Sequence, residues 1–136
     1  MKIFLDTSAL IAYYNVDDVH HGEASRVFER IRRGEIPFTE FFVTDFVFDE
    51  TVTFMECVLN EHELAVSVGE ALLTSPFTTV LRTDEKLFHE VWDFFKENTG
   101  YSFTDCSSFS AMREHGITHA FTFDKHFKDA GFQTIP

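Results

Sequence analysis

The sequence predicts an α/β fold, three layers with a mostly parallel central sheet held between helices. Three observations lead there. Short apolar runs alternate with amphipathic helical segments along the whole chain. The runs Ile3 to Leu5, Phe41 to Val43, Thr78 to Leu81 and Ala120 to Phe123 read as strands covered on both faces, not as strands with one wet side. The first and last of them end abruptly on an aspartate, Asp6 and Asp124. Parallel strands all point the same way, so acids just past their C-terminal ends converge on the edge where open α/β sheets hold their ligands. A chain of 136 residues is one core long, and a single domain over 1–136 is expected.

Each element has its own signal. Thr7 and Ser8 start a short helix directly after the first strand. The next helix follows Asp17 and Asp18, with Ala24, Val27, Phe28 and Ile31 at the spacing of one buried stripe and Gly34 as its stop. Arg26, Arg30 and Arg33 lie on its outer face, as a solvated helix surface or a phosphate or partner contact. After the second strand a helix is expected from about Phe46 to Leu59. Its polar stripe is Asp49, Thr53, Glu56 and Asn60, whereas Glu50 shares a face with Val47, Thr51, Phe54 and Val58. An acid on an inward face either reaches out at the helix end or pairs with a cation, and pairing explains it better. A helix carrying Leu64, Val68, Ala71 and Leu72 stops at Ser75 and Pro76, where proline cannot continue it. Asp84 caps the next, with Phe88, Val91, Trp92 and Phe95 expected inward and Gly100 closing it. Ser102 and Asp105 open another as an S-x-x-D capping box, ending at Gly116. Gln133 to Ile135 adds a short fifth strand.

The chemistry lies in four acids, Asp6, Glu50, Asp105 and Asp124. Gathered on one rim they repel, and they stay ionised together only if a divalent cation offsets them. Oxygen donors suit Mg²⁺ or Mn²⁺. Zinc is not expected, because His20 and His21 fall in an early loop and Gly116 breaks the helix between His115 and His119.

Composition narrows the classes. The net charge of −12, from 23 acids against 11 bases, removes the long-range attraction that a nucleic-acid binder normally uses. A generic acidic surface, adaptation to high salt and a basic protein partner are three readings of that charge. Eighteen phenylalanines are more than a core of this size hides, so an apolar partner surface is expected. Cys57 and Cys106 lack C-x-x-C spacing and are expected to be packed thiols in a reducing compartment. No apolar run is long enough to span a bilayer, and Asp6 interrupts the first apolar stretch before a signal-peptide core forms, so no membrane partner and a cytoplasmic protein are expected.

Four blocks in order, DTSAL after the first strand, VFDETVTF on a helix, FTDCSSFSAMREHGI and HAFTFDKHFKDAGF, resemble the acidic motifs of PIN-domain nucleases over the whole chain. The short length is similar to that of the VapC-like toxins of prokaryotic toxin–antitoxin pairs. The resemblance implies that Asp6, Glu50, Asp105 and Asp124 hold the metal, Asp6 and Asp105 most directly, with Thr7, Ser8 and Thr122 supporting them. It implies an endoribonuclease in which water attacks RNA and leaves a 5′-phosphate. A homodimer that also binds an antitoxin segment is expected, the segment carrying apolar anchors and an Arg or Lys that reaches the acids. The high negative charge is the departure from pattern.

Other sheet-rim enzymes fit less well. A haloacid-dehalogenase-type phosphotransferase needs a second Asp where Ser8 stands, and a receiver domain needs an Asp ending a central strand. The alternative from another class is a catalytically silent PIN-like module that binds a protein.

Overall fold

A computed structural model describes residues 1–136. The chain runs β1 (Lys2–Leu5), α1 (Thr7–Tyr14), α2 (His21–Arg32), β2 (Glu40–Thr44), α3 (Asp45–Thr53), a π-helical turn (Phe54–Val58), α4 (His62–Thr74), β3 (Thr78–Leu81), α5 (Glu85–Glu97), α6 (Phe103–Glu114), β4 (His119–Phe121), α7 (His126–Asp129) and β5 (Gln133–Ile135). The five strands lie in the order β3-β2-β1-β4-β5 and every pair is parallel. The chain first steps from β1 to β2 to β3, then returns to the other side of β1 for β4 and β5. Right-handed crossovers therefore put α1 to α4 on one face and α5 to α7 on the other. The contacts agree, with α1 packing on α2 and α3, α3 on α4, and α6 on α5 and α7.

One apolar cluster fills both interfaces of the sheet. Phe121 meets Phe28 of α2 at 5.0 Å between ring centroids on one face, and Phe4 meets Phe127 of α7 at 6.0 Å on the other. The stripe expected on α2 is there, with Ala24, Val27 and Ile31 buried. Gly69 is what lets α4 lie close to α3, since a Cβ there would meet Phe48 at 3.3 Å. Gly116 has φ +64, a conformation that few side chains tolerate, and it turns the chain from α6 into β4.

Three expectations about faces are corrected. Phe88 (46% exposed), Trp92 (46%) and Phe95 (36%) do not point inward; the stripe against the sheet is Leu87, Val91 and Phe94. Helix α5 carries two adjacent apolar stripes at the same spacing, and only one can face the sheet. The other joins Phe46 and Phe103 in an aromatic band with centroid separations of 5.4 to 6.5 Å. Val58 and Glu50 are also exposed. The backbone bond from Leu59 N–H to the Phe54 carbonyl spans five residues, so the π-helical turn shifts the register that a regular helix would have kept and turns Val58 outward. Cys57 is exposed, not packed, while Cys106 is buried.

Candidate metal centre

The place where the strand order reverses lies between β1 and β4, and ligands of open α/β sheets bind in that crevice at the C-terminal ends of the strands. Register does the positioning. Phe4 pairs with Ala120 and Leu5 with Phe121, and the Asp6 N–H donates to the Phe121 carbonyl at 3.1 Å, so Asp6 lies level with Thr122. The Thr122 hydroxyl donates to Asp6 Oδ2 at 2.8 Å, and the Ser8 hydroxyl donates to the same oxygen at 2.7 Å. Each hydroxyl in turn accepts a backbone N–H from the loop after β4, Ser8 from Phe123 at 3.0 Å and Thr122 from Asp124 at 2.9 Å. Although Asp6 holds the N-cap position of α1, its side chain makes no capping bond. The carboxylate is turned to the crevice instead.

Asp6 is 5% exposed, and burial pushes its pKa from 3.8 up to about 6. The two hydroxyls and the Thr7 backbone oppose that rise, and the charge of Asp105 adds to it. The same Asp105 charge, after burial, raises the Cys106 thiol. Thr7 Oγ1, beside Asp6, is buried without a hydrogen-bond partner.

Asp105 stands in the first turn of α6. The capping box forms, with the Asp105 N–H donating to the Ser102 hydroxyl at 3.0 Å and the Ser102 N–H to Asp105 Oδ2 at 3.4 Å. The cap does not consume the acid, because the second oxygen stays free. Asp124 follows β4, and the His126 N–H folds back onto its Oδ1 at 3.0 Å. That turn swings the imidazole over the site, where Nδ1 lies 3.1 Å from Asp105 Oδ2 and 3.3 Å from Asp124 Oδ1. Asp105, Asp124 and His126 offer donor atoms that all lie within 4.8 Å of one another.

Sequence reasoning passes over His126. Its signal is the spacing Asp-x-His after a strand end, since an Asp in a tight turn accepts the N–H two residues on. The expectation of oxygen donors alone is widened by one nitrogen. Asp6, buried behind Thr122, and Glu50, exposed on α3, both stand outside that group of donors. Asp49, the neighbour on the polar stripe, accepts from the Thr53 hydroxyl at 3.1 Å on the surface.

The PIN domain family matches residues 3–133. The chain belongs to the PIN-domain family. Within it, the chain is 32% identical over 135 residues to the 23S rRNA-specific endonuclease VapC20 of Mycobacterium tuberculosis, covering 98% of this chain and 97% of that protein. A VapC ribonuclease of Archaeoglobus fulgidus is 27% identical over 112 residues, 79% of this chain and 68% of that one. The crystal structure of Mycobacterium tuberculosis VapC20, described as a sarcin-ricin loop cleaving toxin, superposes with a TM-score of 0.84 at 31% identity, over 96% of this chain and 95% of that one. FitAcB from Neisseria gonorrhoeae shares the fold, with a TM-score of 0.67 at 15% identity over 98% and 96%.

The donor set of this PIN domain fits a divalent cation. Asp105 and Asp124 each have one oxygen tied by protein hydrogen bonds and one without, and Asp6 is a buried acid whose ionisation a nearby cation would favour.

Proposed function

We propose that this PIN domain is a Mg²⁺- or Mn²⁺-dependent endoribonuclease, the cytoplasmic toxin of a toxin–antitoxin pair, acting through Asp6, Glu50, Asp105 and Asp124. The observation that supports this is the grouping of Asp105, Asp124 and His126 at the reversal of strand order, beside a buried Asp6 that feels the Asp105 charge and is tied to the same loop through Thr122. The likeness to VapC ribonucleases over nearly the whole chain supports RNA as substrate.

Asp6, Asp105 and Asp124 would hold the cation, and Glu50, exposed on α3 without a protein partner, would close the set. When bound, the cation polarises the phosphodiester and lowers the pKa of its water. Ser8 and Thr122 both hold Asp6 Oδ2, so that the carboxylate does not rotate. Lys125, exposed beside Asp124, and Arg82, exposed just after β3, stand on the same edge of the sheet. They are suited to phosphates flanking the cut, whereas Arg30, Arg32 and Arg33 are engaged by Glu35 and Glu29.

Two features of the surface support a second copy and an antitoxin as partners. The aromatic band of α5 is the face offered to a second copy. An apolar groove of about 410 Å³ between α3 and α4, lined by Phe48, Val52, Val66 and Leu73 and edged by Glu56 and Glu70, seats the antitoxin segment. Helix α3 leads away from the rim, so a segment seated there must run on along the surface to bring an Arg or Lys to the acids.

Incubating the pure protein with 23S rRNA tests the proposal. Cleavage that stops in EDTA and returns with Mg²⁺ or Mn²⁺ is expected. No cleavage under any metal condition would favour the silent protein-binding module, and cleavage indifferent to EDTA would overturn the metal assignment.

A further inference from the structure

We infer that His126 is a nitrogen ligand of the cation at Asp105 and Asp124, and that it biases the centre towards Mn²⁺ over Mg²⁺. The inference rests on the metal-dependent reading above and adds a donor that the four acids do not include.

The geometry of the imidazole is the reason. Nδ1 stands 3.1 Å from one carboxylate oxygen and 3.3 Å from another, which belong to different elements, α6 and the loop after β4. Neighbouring ligands around an ion with bonds of roughly 2.1 Å lie roughly 3 Å apart, so Nδ1 can sit beside either oxygen in one coordination sphere, each oxygen keeping a lone pair besides the N–H bond it accepts. The ring is also held before any ion arrives. Its backbone is fixed by the bond to Asp124 Oδ1 at 3.0 Å, and Tyr101 packs edge-on against it at 5.4 Å and 87°. The side chain is 31% exposed and those of Asp105 and Asp124 are 13% and 34%, so an ion can enter while shedding only part of its water.

The consequence is selectivity. Mg²⁺ prefers oxygen and gives up water reluctantly, whereas first-row transition ions accept imidazole readily, Mn²⁺ being the one that carboxylates also serve well. An all-carboxylate rim would separate the two ions less.

The test is electron spin-echo spectroscopy of Mn²⁺ bound to the full chain. A coupling to ¹⁴N is expected, changing to that of ¹⁵N in protein grown on ¹⁵N-histidine, so the wild-type signal itself needs no variant. The coupling should vanish in His126→Asn and persist in His20→Asn, which removes the ring stacked on Phe123 at 4.3 Å. By calorimetry His126→Asn should weaken Mn²⁺ about tenfold and Mg²⁺ less than about twofold. Bound Mn²⁺ without nitrogen coupling, or equal loss of both ions in His126→Asn, would make His126 a hydrogen-bond donor that only orients the two acids. Either result overturns this inference and leaves the proposed function standing. A wild-type protein that binds neither ion overturns both.

Discussion

Asp6 concentrates the problem that the site solves. Its carboxylate is placed where burial opposes charge, and two hydroxyls recover part of that cost. The sign of the pH effect follows. The folded pKa of about 6 exceeds the unfolded value of 3.8, so the folded state binds the proton more tightly. Asp6 therefore contributes stability below about pH 4 that is lost as pH rises through 6, and an ionised Asp6 without metal costs about 3 kcal/mol. Asp6→Asn is expected to raise the melting temperature of the metal-free protein above pH 7 and to abolish the gain that metal gives the parent; unchanged melting would contradict it. The same acid makes metal binding fall as pH drops below 6, because protons and cation compete for its oxygens. Asp105→Asn and Asp124→Asn should each lower RNA cleavage at least about 100-fold, more than the loss of a merely orienting group. Asp49→Asn, at a carboxylate hydrogen-bonded to Thr53 alone, should cleave at the parental rate.

Secondary-structure elements deliver these residues, and here the sequence was readable to different depths. Asp6 and Asp124 were visible because a strand that ends in Asp needs only local pattern to be recognised. Ser102 and Asp105 announced their cap, and the cap forms. Ser102→Ala is expected to lower unfolding stability by about 1 kcal/mol in a denaturant titration, through loss of that cap. His126 was not visible, since its approach to Asp105 depends on a turn that no periodicity encodes. The outward face of Val58 was hidden for another reason, because a single wider helical turn is silent in a 3.6-residue pattern, and Glu50, before that turn, lies next to exposed Asp49 at the border of the polar stripe. Helix α5 misleads because its two apolar stripes are equivalent in sequence and only the sheet chooses between them. Trp92→Glu, on the stripe left outside, should convert the expected homodimer to monomer in sedimentation velocity while the fold is kept; an unaltered mass would place the dimer elsewhere.

At the scale of the whole molecule, a five-stranded parallel sheet with helices on both faces places its strand reversal where the acids are needed. No helix is long and apolar enough to cross a membrane. The charge of −12 sets this PIN domain apart from nucleases that gather RNA by long-range attraction. RNA binding should therefore not weaken when monovalent salt rises from about 50 to 200 mM, where a protein with many phosphate contacts loses about 10³-fold or more. A fall of that size, measured by fluorescence anisotropy, would show that a basic track carries the substrate after all. Hydrolysis by water at a carboxylate-held cation is reported most directly by the ends of the cut RNA. End-group analysis of RNA cleaved in Mn²⁺ should find a 5′-phosphate and a 3′-hydroxyl at the new termini; a 5′-hydroxyl with a 2′,3′-cyclic phosphate would mean attack by the ribose and would contradict the account.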